Sequence, residues 1–295
     1  MSLSLAENMA APGGALRRGA TARLLGWMGD RTMLVSGLVL MALILLFCFL
    51  GGLVYPASPF AIHGHHAFQP PSGAFPLGTD QIGRDELARL IQGGFTTMVV
   101  AIPAALLTFA IGLIYGLAAA LLPAWVDKVL MRVLDAFLAL PGLVVLIFFA
   151  SLLAPSNSEL ILLLGLTSWP GLARLVRNEA ISQRGRDFVL ATRQFGGGTW
   201  YVARVHLLRV MAPILVVNFT FLLGDSVLAL SGLSFLGLGV KPPMTSWGGL
   251  LQTGLNLIAL NPWWMIFPSA IMIFASIVAT NLIGQGILAR LGEGR

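Results

Sequence analysis

Apolar residues along this chain gather into six runs, near 33–54, 96–122, 133–154, 159–173, 211–232 and 264–288, with more polar stretches between them. A helix needs roughly 20 residues to cross the hydrocarbon core, and five of the runs reach that length. The fourth is short and contains Trp169-Pro170, which predicts a kinked span that borrows residues from either side. The long polar interruption of the second half is Arg174–Pro213, with seven arginines, the glycines Gly196 to Gly198, and a proline where the next apolar run begins. It predicts a basic, helix-forming loop that faces a cytoplasmic partner.

The remaining segments are read from the same pattern. Residues 1–31, rich in Ala, Gly and Arg, predict a mobile or interfacial cytoplasmic arm, and 55–80, rich in Pro, Gly and His, an extracytoplasmic loop. From Gln81 to Gly94 the chain is amphipathic, with Ile82, Leu87, Leu90 and Ile91 on one side and Arg84, Asp85 and Arg89 on the other. This predicts an interfacial helix leading into the second span, with the carboxylate of Asp80 capping its free N–H groups. Leu233–Trp264 is apolar but broken by glycines and prolines. Irregular backbone at membrane depth is tolerated where protein buries it or where it lines a cavity, so this outer segment is expected to be re-entrant or to form a mouth. Trp247, Trp263 and Trp264 fit an interfacial aromatic belt. The expected organisation is an arm (1–31), a first span with outer loop and interfacial helix (32–95), and a five-helix membrane domain (96–290). The last carries the cytoplasmic loop 174–210 and the outer segment 233–263.

Composition agrees with a bilayer protein. The chain is 57% hydrophobic and 10% charged, where a soluble domain carries about 25% charged residues. With the N-terminus inside, fifteen of the eighteen Lys and Arg residues fall on the cytoplasmic side, and only Arg84, Arg89 and Lys241 outside. The positive-inside rule therefore predicts an all-α membrane protein of six spans with both ends inside. The net charge of +6 is then a signal of topology rather than of nucleic-acid binding. The first apolar run covers 22 residues, longer than the roughly 7–15 of a signal-peptide core, and no A-x-A site follows; it reads as a retained span. Cys48, the single cysteine, lies inside it as a small lipid- or helix-facing residue, so no disulfide framework exists within the chain.

Catalytic chemistry is sparse. There is no G-x-x-x-x-G-K-[ST] loop for nucleotide, no H-E-x-x-H, no G-x-S-x-G elbow and no Cys/His cluster of zinc spacing. Asp135 and Asp225 are the acids within apolar runs, on different spans. Asp135 is expected to pair with Arg132 one turn away. Asp225 lies deep in the fifth run, where an aspartate costs about 2.5–3.5 kcal/mol against lipid; it is expected to face water or protein as a lining residue of a translocation path. His63, His65 and His66 form an outer-loop cluster of a type that binds nickel, copper or zinc, but no carboxylate or fourth ligand is nearby and solvated loop histidines are the simpler reading.

Four motifs, in order, carry a family resemblance over about Phe75–Leu291: PLGTDQIGRD (Pro76–Asp85), DAFLALPGL (Asp135–Leu143), the cytoplasmic loop, and LSFLGLGVKPPMTSWG (Leu233–Gly248). Together they resemble the permease subunit of binding-protein-dependent ABC importers, in the peptide/nickel branch. The loop resembles that family's EAA loop. Glu179-Ala180 followed by Gly185 mimics its start but not its continuation. The better register runs through Leu190, Ala191, Thr192, Arg193, Gly196, His206 and Pro213. In that register the acidic residue of the triplet is replaced by Leu190, and the proline after the paired aliphatics by Arg209.

The resemblance implies a type I importer permease fold in the inner membrane. It also implies a short helix, a glycine break and a second helix that re-enters the membrane, seated in a cleft of an ATPase subunit. Implied partners are a second homologous permease, two ABC ATPase subunits, an extracytoplasmic binding protein and membrane lipid, with no nucleic acid. ATP and Mg would be held by the ATPases and no cofactor by this chain. By the same resemblance Gly78, Thr79, Asp80, Gly83, Arg84 and Asp85 lie at the outer mouth where the receptor docks; a local charge network that fixes the helix is the other reading. The expected cargo is a di- or oligopeptide, with nickel or a metal chelate as the alternative. An ion-coupled secondary transporter is the reading from another class, and it would need midplane ion sites for which the spans offer little beyond Asp225.

Overall fold

The structure, a computed structural model, describes residues 13–152 and 156–293, and the side chains of 31–152 and 156–290. Among these there is no strand, only one isolated bridge between Thr79 and Asp85. The helices are α1 (Gly13–Val54), α2 (Glu86–Leu121), α3 (Ala124–Leu138), α4 (Gly142–Leu152), α5 (Asn157–Thr167), α6 (Trp169–Arg184), α7 (Asp187–Gln194), α8 (Thr199–Tyr201), α9 (Leu208–Phe235), α10 (Trp247–Asn256) and α11 (Trp263–Glu293). A π-helical stretch, Val202–Leu207, joins α8 to α9 without a break. Of the arm expected at 1–31, residues 1–12 lie outside the described residues, and from Gly13 the chain is already the start of α1.

Among the described residues, four helices are long and apolar enough to cross a membrane: Arg31–Val54 within α1, Glu86–Leu121, Thr199–Phe235 and Trp263–Arg290. Two further spans follow if each bent pair counts as one. Helices α3 and α4 meet at 79° and α5 and α6 at 40°. Proline explains both breaks. Pro141 lacks the N–H that a continuous helix needs and steers the residue before it away from helical geometry. Pro170 sits in the first turn of α6, where its missing donor costs nothing. The kink expected at Trp169-Pro170 is therefore present, between α5 and α6.

Helix α2 is the hub, packing on α1, α5, α6, α9, α10 and α11. One apolar cluster unites α1, α2, α9, α10 and α11 through Met41, Ile44, Met98, Val227, Trp247 and Ile273. Another closes the opposite end of the bundle, where α6 and α7 meet the π-helical stretch, around Val176, Ala180, Val189, Val202, Leu207 and Met211. Cys48 is buried against α2 beside Gly94, which makes it helix-facing.

Three local expectations are corrected. Gln81–Gly94 is not a separate interfacial helix; from Glu86 onward it is the first turns of α2, capped by Asp85 rather than Asp80, with Asp85 Oδ1 accepting from the N–H groups of Leu87 (2.9 Å) and Ala88 (3.1 Å). Asp135 pairs with Arg174 of α6, not with Arg132. The aromatic belt reduces to Trp263, because Trp247 and Trp264 are core residues. Trp247 donates its indole N–H to Leu90 O (3.1 Å), and Trp264 donates to Thr79 O (3.2 Å). The outer segment thus folds inward: α10 packs on α9, α11 and α2.

Candidate functional site

The segment after α6, expected on the cytoplasmic side, is built around a glycine turn. Helix α7 ends in a Schellman motif: Gly196, at φ +83, follows the C-cap Phe195. The Gly196 N–H donates to Arg193 O (3.0 Å) and the Gly197 N–H to Thr192 O (2.9 Å). These bonds satisfy carbonyls that the helix end would leave free, and the left-handed position favours glycine. The chain then reverses into α8, the π-helical turn and α9, giving the helix, glycine break and second helix expected of this loop. Pro213 lies inside α9 rather than at its start.

One face of this unit is rooted and the other is bare. Val189, Val202 and Leu207 are fully buried beneath it. Leu190 is 47% exposed, Phe195 91% and Trp200 75%, and Ala191, Arg193 and Gly196 are exposed beside them. Thr192 and His206 are half-buried and tied together, Thr192 Oγ1 lying 2.9 Å from His206 Nε2. The His206 ring also packs against Phe188 and Tyr201. Thr192, Phe195, Gly196, Tyr201 and His206 border a recess of about 490 Å³. The alternative register at Glu179 does not reach this surface, since Ala180 is fully buried and Glu179 accepts a bond from Gln183 within α6.

Cross-ties brace the root. Arg177 grips Asp127 of α3 through two bonds, Nε to Oδ1 at 2.6 Å and Nη2 to Oδ2 at 2.5 Å. Arg184 donates to Ala120 O at the end of α2 (2.6 Å). Bidentate arginine pairs of this kind fix geometry as well as adding energy, so α6 is tied to the C-terminal end of α2 and to the first turn of α3.

At the outer end, the residues expected at the mouth are brought together but turned inward. Thr79 and Asp80 are fully buried and Asp85 nearly so. Asp80 accepts from the N–H groups of Ile82 (3.0 Å) and Arg84 (2.8 Å), from Arg84 Nε (2.7 Å), and from Arg89. Asp85 caps α2 and accepts from the Tyr55 hydroxyl at 2.5 Å. Desolvation, reinforced by that carboxylate, pushes the Tyr55 phenol up to about 12. Gly78 and Gly83 have positive φ and leave no room for a side chain against Gln69 and His63. The carboxylates thus fasten the loop to α2, while the Thr79 hydroxyl ties the loop to itself, accepting from the Gln69 N–H and donating to His66 O; within the motif, Gln81 and Ile82 face outward and Arg84 does so in part.

His63, His65 and His66 do not converge. His63 contacts Gly83 O and His66 contacts Gln69, and both rings lie against Phe75. No group of three or more metal-binding side chains occurs among the described residues. Asp225 is exposed on the side of α9, in a recess that it shares with Asn281 of α11. Sequence reading missed Asn281, because a single amide in an apolar helix carries no motif. It also missed Glu86, a buried acid beside Arg89 (3.9 Å) whose oxygens have no hydrogen bond among the described residues.

Comparison with known proteins agrees with this geometry. Residues 110–292 match the family described as binding-protein-dependent transport system inner membrane component. The dipeptide transport system permease protein DppC of Bacillus subtilis is 34% identical over 248 residues, covering 83% of this chain and 78% of that protein. The di/tripeptide transport system permease protein DppC of Pseudomonas aeruginosa is 32% identical over 260 residues, covering 86% and 85%. With a bundle of membrane-length helices and a rooted, glycine-turned cytoplasmic unit, this chain belongs to the family of inner membrane components of binding-protein-dependent transport systems.

Proposed function

We propose that this chain is one permease subunit of an ABC importer that moves di- or oligopeptides inward by ATP-driven alternating access. The observation that carries the reading is the unit spanning α7 to the π-helical turn. Its apolar tip (Leu190, Phe195 and Trp200) is bare, while its root is packed into the bundle. Exposed apolar patches outside the bilayer mark interaction sites. An ATPase seated on Leu190, Ala191, Thr192, Arg193 and Gly196 would move α6 and α9 as it closes, through His206, the root and the arginine ties. In this reading each bent pair is one span, giving six with both ends inside, and the arginines of the loop face the cytoplasm.

The chain binds no nucleotide and no metal in this reading; ATP and Mg are held by two partner ATPases. A second homologous permease completes the pore, and an extracytoplasmic binding protein delivers cargo at the end formed by the Gly78–Asp85 loop. Peptide cargo is favoured over nickel by the dipeptide and di/tripeptide permeases that the chain resembles and by the separation of the three histidines. Asp225 lines the path.

Purification of the chain from native membranes in mild detergent, with its companions identified, tests the assembly. Recovery of P-loop ATPases and a second permease is expected. Recovery of this chain alone, from membranes where it still supports uptake, would overturn the reading in favour of an ion-coupled carrier.

A further inference from the structure

The recess beside Asp225 lies between α9 and α11 and measures about 260 Å³, walled by Phe221, Gly224, Leu228 and Ile277, with Asn281 at its edge. Two close approaches set its shape. A Cβ on Gly224 would stand 2.5 Å from Thr280 Oγ1, and one on Gly284 would stand 2.7 Å from the Phe221 ring. The helices therefore touch on either side of the recess, and only glycine permits that contact. Asp225 is ten residues before Phe235 at the outer end of α9, which is about 15 Å of helical rise. That is half of a hydrocarbon core of roughly 30 Å, so the carboxylate stands near the midplane.

Asp225 brings two acceptor oxygens to the recess and no donor when ionised. Asp225 has no hydrogen bond and no ion pair among the described residues. The Asn281 amide donates one N–H to Ile277 O (2.9 Å), and its oxygen and second N–H have no hydrogen bond among the described residues. Asn218, seven residues before Asp225 and hence on the same helical face, likewise spends one amide N–H on Ile214 O (2.8 Å). No lysine or arginine lines the recess. In α9 the only basic residue is Arg209 in its first turn, and in α11 it is Arg290 near its end. These two helices supply no countercharge to an ionised Asp225.

We infer that this recess is a cation-accepting step of the translocation path, in which Asp225 and the Asn281 oxygen take the protonated primary amino group of the cargo. An ammonium offers three donors and no acceptor, matching two carboxylate oxygens and one amide oxygen. The apolar walls of Phe221, Leu228 and Ile277 lower the local dielectric and strengthen the attraction. The volume is below the roughly 300–1,000 Å³ of a site that encloses a whole small molecule, so the recess holds an end group and releases it. A lysine from a neighbouring permease would serve as a permanent counter-ion, but charged side chains within spans are rare, whereas a cargo amine is supplied at each turnover. The inference rests on the proposed peptide-importing function.

The test uses the complete reconstituted complex with its receptor, and two probes, dialanine and N-acetyl-dialanine, each at a concentration that saturates the receptor. Wild type is expected to move about tenfold more dialanine per ATP hydrolysed than the acetylated probe, equivalent to about 1.4 kcal/mol. Asp225→Asn is expected to remove most of that preference by lowering dialanine transport, and Asp225→Glu to restore it. Equal loss for both probes, or unchanged dialanine transport in Asp225→Asn, would overturn the inference. So would loss of the second permease from the purified Asp225→Asn complex, which would assign the carboxylate to a subunit contact. A wild-type complex that couples ATP hydrolysis to uptake of neither probe would instead remove the peptide reading on which the inference stands.

Discussion

The hydroxyl of Thr192 and Nε2 of His206 lie 2.9 Å apart, bridging α7 and the π-helical turn across the glycine break. The Thr192 hydroxyl also lies 2.8 Å from Phe188 O, and Gly197 packs directly against Thr192. This one side chain therefore holds both arms of the cytoplasmic unit in register. A π-helical stretch is a common place for a helix to adjust, and the bridge restrains that adjustment where the chain leaves the exposed tip.

Thr192→Val removes the bridge while keeping the shape of the side chain. A net hydrogen bond is worth about 0.5–1.5 kcal/mol, so the fold should survive and the coupling should loosen. Uptake per ATP hydrolysed is expected to fall by roughly that energy, about threefold to tenfold, with the ATPases still bound. Parallel measurement of hydrolysis and uptake in proteoliposomes checks this; an unchanged ratio would show that the bridge has no part in coupling.

The proposed coupling would also depend on Gly196, since its φ of +83 costs a residue with a Cβ about 1–2 kcal/mol. Asparagine tolerates the left-handed region better than most residues. Gly196→Asn should therefore retain most of the bound ATPase. Gly196→Asp adds a negative charge at the exposed tip and should shed the ATPase or uncouple it, while insertion into the membrane stays normal. Equal complex yield and uptake for Gly196→Asp and wild type would refute the coupling role.

Much of this was legible because proline, glycine and charge act locally. Trp169-Pro170 announced a bend, and Gly196 to Gly198 announced a turn. The tryptophans of the outer segment were misread for a physical reason. Trp247 and Trp264 lie among glycines and prolines and so resemble interface anchors. What buries Trp247 is Gly94, more than 150 residues away, where a Cβ would stand 2.8 Å from the indole. Asp80 and Asp85 posed a related problem. Either could cap a helix, and only the three-dimensional approach of Arg89 and Tyr55 separates their roles. The Arg174–Asp135 pair joins residues on different helices, and nothing in the spacing of either helix points to it.

Asp80 binds two arginines and two backbone N–H groups in a fully buried position. Breaking a buried charge pair from one side typically costs about 3–5 kcal/mol, because the other charge is left unpaired. Asp80→Asn is thus expected to lower the thermal midpoint of the purified complex and open the loop before α2 to proteolysis. Substituting the exposed neighbour Gln81 by Ala should do neither. A protease-resistant Asp80→Asn loop at wild-type stability would show that the arginines find other partners.

In the register that the loop's resemblance implies, Leu190 stands where the triplet has its acidic residue, and its surroundings favour an apolar contact. Phe188 is partly exposed, Phe195 almost fully so, and Ala191 lies beside them. A carboxylate placed among such groups would be desolvated as a partner closes over it, and a buried charge without a counter-ion is costly. Leu190→Glu is therefore expected to weaken retention of the ATPase by about tenfold or more, equivalent to about 1.4 kcal/mol. Leu190→Met, which preserves apolar volume, should retain it near the wild-type level. Binding of the ATPases to the purified permease pair, measured across a salt series, separates the possibilities. If the partner's cleft presents a cation there, Leu190→Glu will bind more tightly than wild type at low salt and lose that advantage as salt rises. That outcome would replace the apolar contact at Leu190 with a charged one, and it would make the leucine a weakening substitution in this chain.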